Sequence, residues 1–163
     1  MEKNRQLPED TLTPRIGVLV RREVEARILA PVISNLGVRF GQEGVTDVLR
    51  RTITEIASQQ GKDLARTMGG NTITHFQNSL EFWMKDDALV IDILRNNEYE
   101  LHFNVTRCRY AEMYQALGIA DMGELLSCNR DFALIEGFNP NATLRRSQTI
   151  MNGAEYCDFR YRF

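Results

Sequence analysis

The apolar positions of this chain change period partway along, separating a helical first half from a mixed second half. From Thr13 the pattern predicts a helix, with Pro14 suited to its first turn and Pro31 set to bend or end it. The stretch "NLGVRFGQEG", Asn35 to Gly44, holds three glycines and reads as a connector. The clearest helix runs from about Glu43 to Met68, where Val45, Val48, Leu49, Ile53, Ile56, Ala57, Leu64 and Met68 make one apolar stripe. Gly61 is expected to weaken it locally. Gly69-Gly70-Asn71 stops it, and Asn71 or Thr72 can cap a third helix carrying Ile73, Phe76, Leu80, Trp83 and Met84.

After Asp86-Asp87 the apolar residues alternate, as strands require: Leu89, Ile91 and Ile93, then Tyr99, Leu101, Phe103 and Val105. A three-residue loop from Asn96 to Glu98 sets Ile93 opposite Leu101 and Ile91 opposite Phe103. A two-residue Asn96-Asn97 turn sets Ile91 against His102, so the first register is preferred. Helices are expected over about Arg109 to Leu117 and Met122 to Ile135, with Asp121 and Glu124 spaced like a capping box. Beyond Asn139-Pro140, Asn152-Gly153 is the strongest hairpin signal, joining Thr143–Met151 to Ala154–Phe163. The fold class is therefore α+β: an N-terminal helical half packed against an antiparallel sheet of two hairpins, with short helices between them. Residues 1–12 are expected to form a flexible lead and residues 13–163 a single domain.

Composition narrows the partners. The 163 residues carry a formal charge of -2, which gives no general attraction to nucleic-acid phosphates or anionic lipid. No apolar run approaches the roughly 20 residues of a membrane helix, and Met1 to Asp10 is too polar for a signal peptide. Three cysteines without an export signal read as free thiols in a reducing, cytoplasmic compartment. Lysine occurs only at positions 3, 62 and 85; arginine, whose planar fork suits carboxylates, supplies the other positive charges.

The chemistry-bearing residues gather in the last third. If Asn152-Gly153 is a two-residue turn, Leu144 opposes Tyr161, Arg146 opposes Phe159 and Gln148 opposes Cys157. Arg146 and Gln148 then share an otherwise apolar face and need partners: a ligand carboxylate, or a structural acid such as Asp131. Cys128 and Asp131 are neighbours at i, i+3 on a helix, but a carboxylate alone would raise the thiol pKa. Cys108 sits where a strand meets a helix, so the positive helix end and flanking Arg107 and Arg109 favour its thiolate. Sequence does not choose between the two thiols. His102 shares a face with Glu100, Asn104 and Thr106, toward solvent or a polar cavity, and His75 reads as structural. No C-x-x-C or H-x-x-x-H spacing, phosphate loop or G-x-S-x-G elbow occurs, so neither a metal nor a cofactor is expected.

These residues carry a resemblance. "FNVTRCRYAEMYQALGIADMGELLSCNRDFALIEGFNP" followed by "RRSQTIMNGAEYCDFRYRF" resembles the L-2-amino-thiazoline-4-carboxylic acid hydrolase family, through Asn104, Cys108, Tyr110, Ala111, Gly118, Cys128 and Asp131. Pro140, Arg146, Thr149, Gly153, Cys157, Asp158 and Phe159 complete the match over about the last 60 residues. The resemblance implies a cytoplasmic hydrolase opening a non-peptide carbon–nitrogen bond in a small cyclic amidine or similar ring. The order of elements is also similar to small-molecule-binding domains of the vinyl-reductase and vesicle-tethering type, helices on an antiparallel sheet and often dimeric. The leading expectation is a cysteine-dependent hydrolase with Cys108 or Cys128 as nucleophile and Asp131 handling protons. Arg146 would pair the substrate carboxylate, with Asn104, Gln148, Cys157 and His102 as further binding candidates. The alternative is a non-catalytic binding or sensor domain. The expected partner is a small anionic organic molecule, with a homodimer or higher homo-oligomer as the expected assembly.

Overall fold

Two long helices open the structure, a computed structural model that describes residues 10–163. Positions 1–9 of the expected lead lie outside the described residues. Helix α1 runs Thr13–Phe40, with a break in helical geometry at Gly17. Pro31 does not end it; this proline is on the exposed side, where water can satisfy the carbonyl it frees. The expected connector is also helical. Asn35 to Phe40 completes α1, Gly41 alone makes the turn at φ 93°, and α2 spans Gln42–Thr67. Ala26 and Ile33 of α1 pack on Ile53 of α2.

Short helices α3 (Ile73–Ser79) and α4 (Glu81–Met84) lead into strands β1 (Leu89–Asn96) and β2 (Glu100–Cys108). Then come α5 (Arg109–Ala116), α6 (Ala120–Gly123), a π-helical turn over Glu124–Cys128 and α7 (Arg130–Phe138). Strands β3 (Thr143–Arg145) and β4 (Cys157–Arg162) finish an antiparallel sheet of order β1-β2-β4-β3. The α+β expectation is met, helices first and sheet after.

Three local expectations need correction. Over Ile91–Ile93 the β1–β2 register is shifted by two residues, Ile93 pairing with Phe103 and Ile91 with Val105, and irregularities at Val90/Ile91 and Ile93/Arg95 offset the ladder by one more residue on either side. The loop is Asn97 to Tyr99, because the Asn97 carboxamide oxygen accepts the amides of Tyr99 and Glu100 at 2.9 Å each. Within Ile91–Ile93 a two-residue slip preserves the faces. The Asp121–Glu124 capping box does not form. Gly118, at φ 70°, turns the chain early, α6 starts before Asp121, and the π turn interrupts the expected long helix.

The last hairpin keeps its expected register, Leu144 opposite Tyr161, but its ladder stops at Arg145 and Arg160. Residues 146–156 form a wide loop around a 3-10 turn, Ile150–Asn152, with Gly153 left-handed at φ 90°. The Asp158 carboxylate replaces the ladder by accepting the amides of Ser147 and Gln148, each at 2.9 Å.

The sheet's inner face presents Leu101, Phe103, Val105, Cys157 and Tyr161 to Leu134 and Phe138 of α7 and to α2 behind it. Gly61 does not serve to weaken α2; it lets α7 approach. A Cβ there would lie 2.0 Å from the Leu134 carbonyl oxygen, and one at Gly137 would lie 2.0 Å from that of Ser58.

Candidate functional site

Between this inner face, the π turn and α1 lies a cavity of about 70 Å³. Cys108, Cys128, Cys157, Asp131 and Arg146 all line it, although they come from four separate stretches of backbone. Its apolar wall includes Trp83, Leu89, Val105 and Phe159, which it shares with a second cavity of about 50 Å³ toward α3 and α4. On its other side it shares Val18, Arg22, Trp83 and Leu134 with a third of about 40 Å³.

Cys108 ends β2 just before α5, as its place in the sequence implies. Burial nevertheless pushes its thiol up to about 11, and the amides of Ala111 and Tyr110 only partly reverse this. The expected help from its neighbours is missing. Arg107 turns outward to Glu112 at 2.8 Å, and Arg109 donates to the Asp86 carbonyl. Cys128 ends the π turn, where burial and then the Asp131 charge push its thiol still higher. Cys157 is raised by burial too, opposed by the Ile150 amide, which donates to its sulfur at 3.2 Å.

Of the two partners open to Arg146, the acid is present. Its Nη1 donates to Asp131, and its Nη2 to the Cys128 carbonyl at 3.1 Å. The guanidinium lies over the rings of Phe132 and Phe159, 5.1 and 5.3 Å from their centroids. Burial raises the Asp131 carboxyl and Arg146 pulls it back, leaving it above the ordinary carboxylate value.

The other candidates lie elsewhere. Asn104 and His102 alternate onto the outer face of the sheet, where the Asn104 side-chain oxygen accepts from Arg160 at 2.8 Å. His102 Nε2 is 3.8 Å from Glu100, and burial holds the imidazole below its ordinary pKa. Gln148 donates to the Tyr156 carbonyl at 3.0 Å rather than facing the cavity. His75 meets the Thr72 hydroxyl at 2.7 Å on the surface.

Two cavity residues escaped the sequence reading. Arg22 and Arg130 are only 4% and 3% exposed. The signal was available: Arg22 falls in step with Val18, Ala26 and Ala30, and Arg130 with Leu126 and Leu134, so each arginine occupies a buried helical face. Glu25 gathers Arg21 and Arg22 at 2.9 Å and Arg130 at 3.0 Å. Burial would raise the Glu25 carboxyl, and these guanidiniums hold it below the ordinary value instead. Burial, then the Arg22 charge, pushes Arg130 down to about 9.

The Cys108 shift has a measurable consequence. A thiol normally near 9 but held near 11 stabilises the folded protein fully below about pH 9, and that contribution fades as pH rises through about 11. Its size is on the order of 2–3 kcal/mol. Urea unfolding at pH 8 and pH 11 should therefore show a larger alkaline loss for the native protein than for Cys108→Ala. Equal losses would contradict the assigned burial of this thiol.

Comparison with known proteins adds a family and a fold. Residues 21–161 match the family model described as L-2-amino-thiazoline-4-carboxylic acid hydrolase. No curated protein matches the chain in sequence. Among solved structures, the phenol-responsive sensory domain of the transcription activator PoxR, solved with phenol, is similar at 8% identity and a TM-score of 0.53. That match covers 89% of this chain and 75% of the other. A trafficking protein particle complex subunit 3 from Naegleria fowleri, covalently bound to palmitic acid, is similar at 9% identity and a TM-score of 0.51. It covers 88% of this chain and 95% of that one. At such identities the likeness is one of fold. The family match spans most of the sequence, and the chain belongs to the L-2-amino-thiazoline-4-carboxylic acid hydrolase family.

Proposed function

We propose that this family member hydrolyses a non-peptide carbon–nitrogen bond in a small carboxylated cyclic amidine or similar ring, with Cys108 as nucleophile. The observation that carries the reading is the convergence of three thiols, Asp131 and Arg146 on one cavity. Arg22 and Arg130 in the same wall suit an anionic substrate.

Cys108 is preferred to Cys128 because the Ala111 and Tyr110 amides partly counter its burial and Asp131 is the least of the causes acting on it, whereas at Cys128 Asp131 is the largest cause after burial and outweighs the help from Arg146. Neither imidazole reaches the cavity, so the proton acceptor in this reading is the substrate's own amidine nitrogen. As the sulfur–carbon bond forms, the thiol proton passes to the ring nitrogen. The ring carbon–nitrogen bond then breaks as the second amidine nitrogen re-forms a double bond to carbon and gives up one of its protons to the departing ring nitrogen, which leaves as a neutral amine. Water, positioned by Asp131, adds to that carbon. Its oxygen becomes the product carbonyl, one proton goes to nitrogen and the other returns to the Cys108 sulfur as it leaves.

Turnover of 2-aminothiazoline-4-carboxylate tests this. Cys108→Ala should lose activity by about 10³-fold or more, while Cys128→Ala should keep it within about tenfold. Full activity in Cys108→Ala would remove the covalent route. A second reading, a binding or sensing domain without chemistry, is favoured by the protonated thiols and the largely apolar walls. Tight binding of the same compound without turnover would establish it.

We also infer that two copies associate through α1. The helix is apolar on both sides, and Val20, Val24, Ile28, Val32 and Leu36 line the side turned from the body, all at least 39% exposed. A two-fold axis between Val24 and Ile28 would pair Val20 with Val32 across the interface. It would also bring Glu23 of each copy beside Arg27 of the other, making the patch self-complementary in charge. Sedimentation should give a dimer, and Ile28→Glu a folded monomer. A native monomer at high concentration would rule this out.

A further inference from the structure

Arg22 is the guanidinium in the cavity wall with donors to spare. It is 4% exposed, and it lines both the thiol cavity and the neighbouring cavity toward Asp63. Among the described residues its one hydrogen bond runs from Nη1 to Glu25 at 2.9 Å. A guanidinium has five N–H donors, so most of this fork has no protein acceptor. Arg130 differs, with Nε on the Leu126 carbonyl at 2.7 Å and Nη2 on Glu25 at 3.0 Å. Arg146 is committed to Asp131 and the Cys128 carbonyl.

The charges agree with the hydrogen bonds. Arg22, Arg130 and Arg146 face Glu25 and Asp131, while Asp63 of the neighbouring cavity is already paired with Arg66, leaving one positive charge in excess. Glu25 is also shared with Arg21, whose second acid is Asp10. A buried excess of one cation calls for a single anion, and a planar fork with free donors favours a planar, bidentate one.

We propose that Arg22 is the carboxylate anchor of this cavity. It holds a monoanionic carboxylate through its unpaired N–H groups and leaves the rest of the ligand among the thiols. A dianion such as inorganic phosphate would exceed the single surplus charge and is discriminated against. This deepens the hydrolase reading and rests on it for the identity of the ring, but not for the anion site itself. It also moves the anchoring role from Arg146, where the sequence first put it, to a residue of α1.

Calorimetry with 2-aminothiazoline-4-carboxylate, its uncharged carboxamide and inorganic phosphate tests the assignment. The native protein should prefer the carboxylate over the carboxamide by roughly 10- to 100-fold, as charge-assisted hydrogen bonds allow. Phosphate should bind more weakly than the carboxylate. Arg22→Gln should abolish the carboxylate preference. Equal binding of carboxylate and carboxamide by the native protein, or an undiminished preference in Arg22→Gln, would overturn the proposal. Should Arg22→Gln fail to fold, Arg22→Lys keeps the charge but loses the fork. Carboxylate affinity should then fall about tenfold or more, and an unchanged affinity would be equally decisive against Arg22. Carboxylate-selective binding through Arg22 with no turnover would sink the hydrolase reading and leave the anchor standing.

Discussion

Gly137→Val is expected to prevent native folding. The α2–α7 crossing brings backbone against backbone: a Cβ at Gly137 would lie 2.0 Å from the Ser58 carbonyl oxygen, and one at Gly61 2.0 Å from that of Leu134. No flexible side chain can yield there, so the two helices must separate. The cost should be about 4 kcal/mol or more, against a total stability of roughly 5–15 kcal/mol for an ordinary domain. Gly137→Ala should show most of the same effect in urea unfolding. Gly44→Ala, in α2 with nothing within 4 Å of its new methyl, should instead stabilise by about 0.5–1 kcal/mol. Native-like stability in Gly137→Ala would mean that the helices do not cross this closely. The site depends on this packing, because α7 carries both Arg130 and Asp131.

Arg146→Met is the second large effect. It removes the partner of Asp131 and the cation stacked between Phe132 and Phe159. Breaking a buried pair by deleting one member costs about 3–5 kcal/mol, and the lower end applies because the Asp131 side chain keeps 23% of its exposure. Adding Asp131→Asn should recover much of the loss by removing the stranded charge. The pH dependence follows from the sign. Without Arg146 only the weaker pull of the Arg22 and Arg130 charges opposes the burial that raises the Asp131 pKa, so the folded variant binds a proton more tightly than its unfolded chain. Its stability should therefore improve on acidification and worsen as pH rises through that raised value. Denaturant midpoints between pH 4 and pH 8 for the single and double variants would measure this. Failure of Asp131→Asn to rescue would show that the stacked guanidinium matters more than the ion pair.

Much of this architecture was legible in residue order. Alternation and apolar stripes located both strands of the first hairpin and the long α2, and turn parity placed Leu144 opposite Tyr161. That parity turned Arg146 and Cys157 inward together, the step on which the cavity depends. The failures have specific causes. Gly37 and Gly44 suggested a connector, but glycine inside a helix marks close approach as readily as a break; the Gln42 side chain folds over Gly37. The Asn152-Gly153 turn was overridden because Asp158 captured the amides that a tight ladder needs. Burial set the thiols' protonation, and a strand–helix junction in sequence cannot reveal how much water reaches the sulfur. Arg22 lies on the first helix, far in sequence from the cysteine-rich third whose cavity its charge completes, and residue order alone does not bring the two together.

The most direct test is a crystal structure of Cys108→Ala holding 2-aminothiazoline-4-carboxylate. The account expects the compound beneath the sheet, its ring beside residue 108 and close to Val105 and Phe159, with its carboxylate directed at α1. Binding on the outer face of the sheet, beside His102 and Asn104, with the thiol-lined cavity left to solvent, would contradict it.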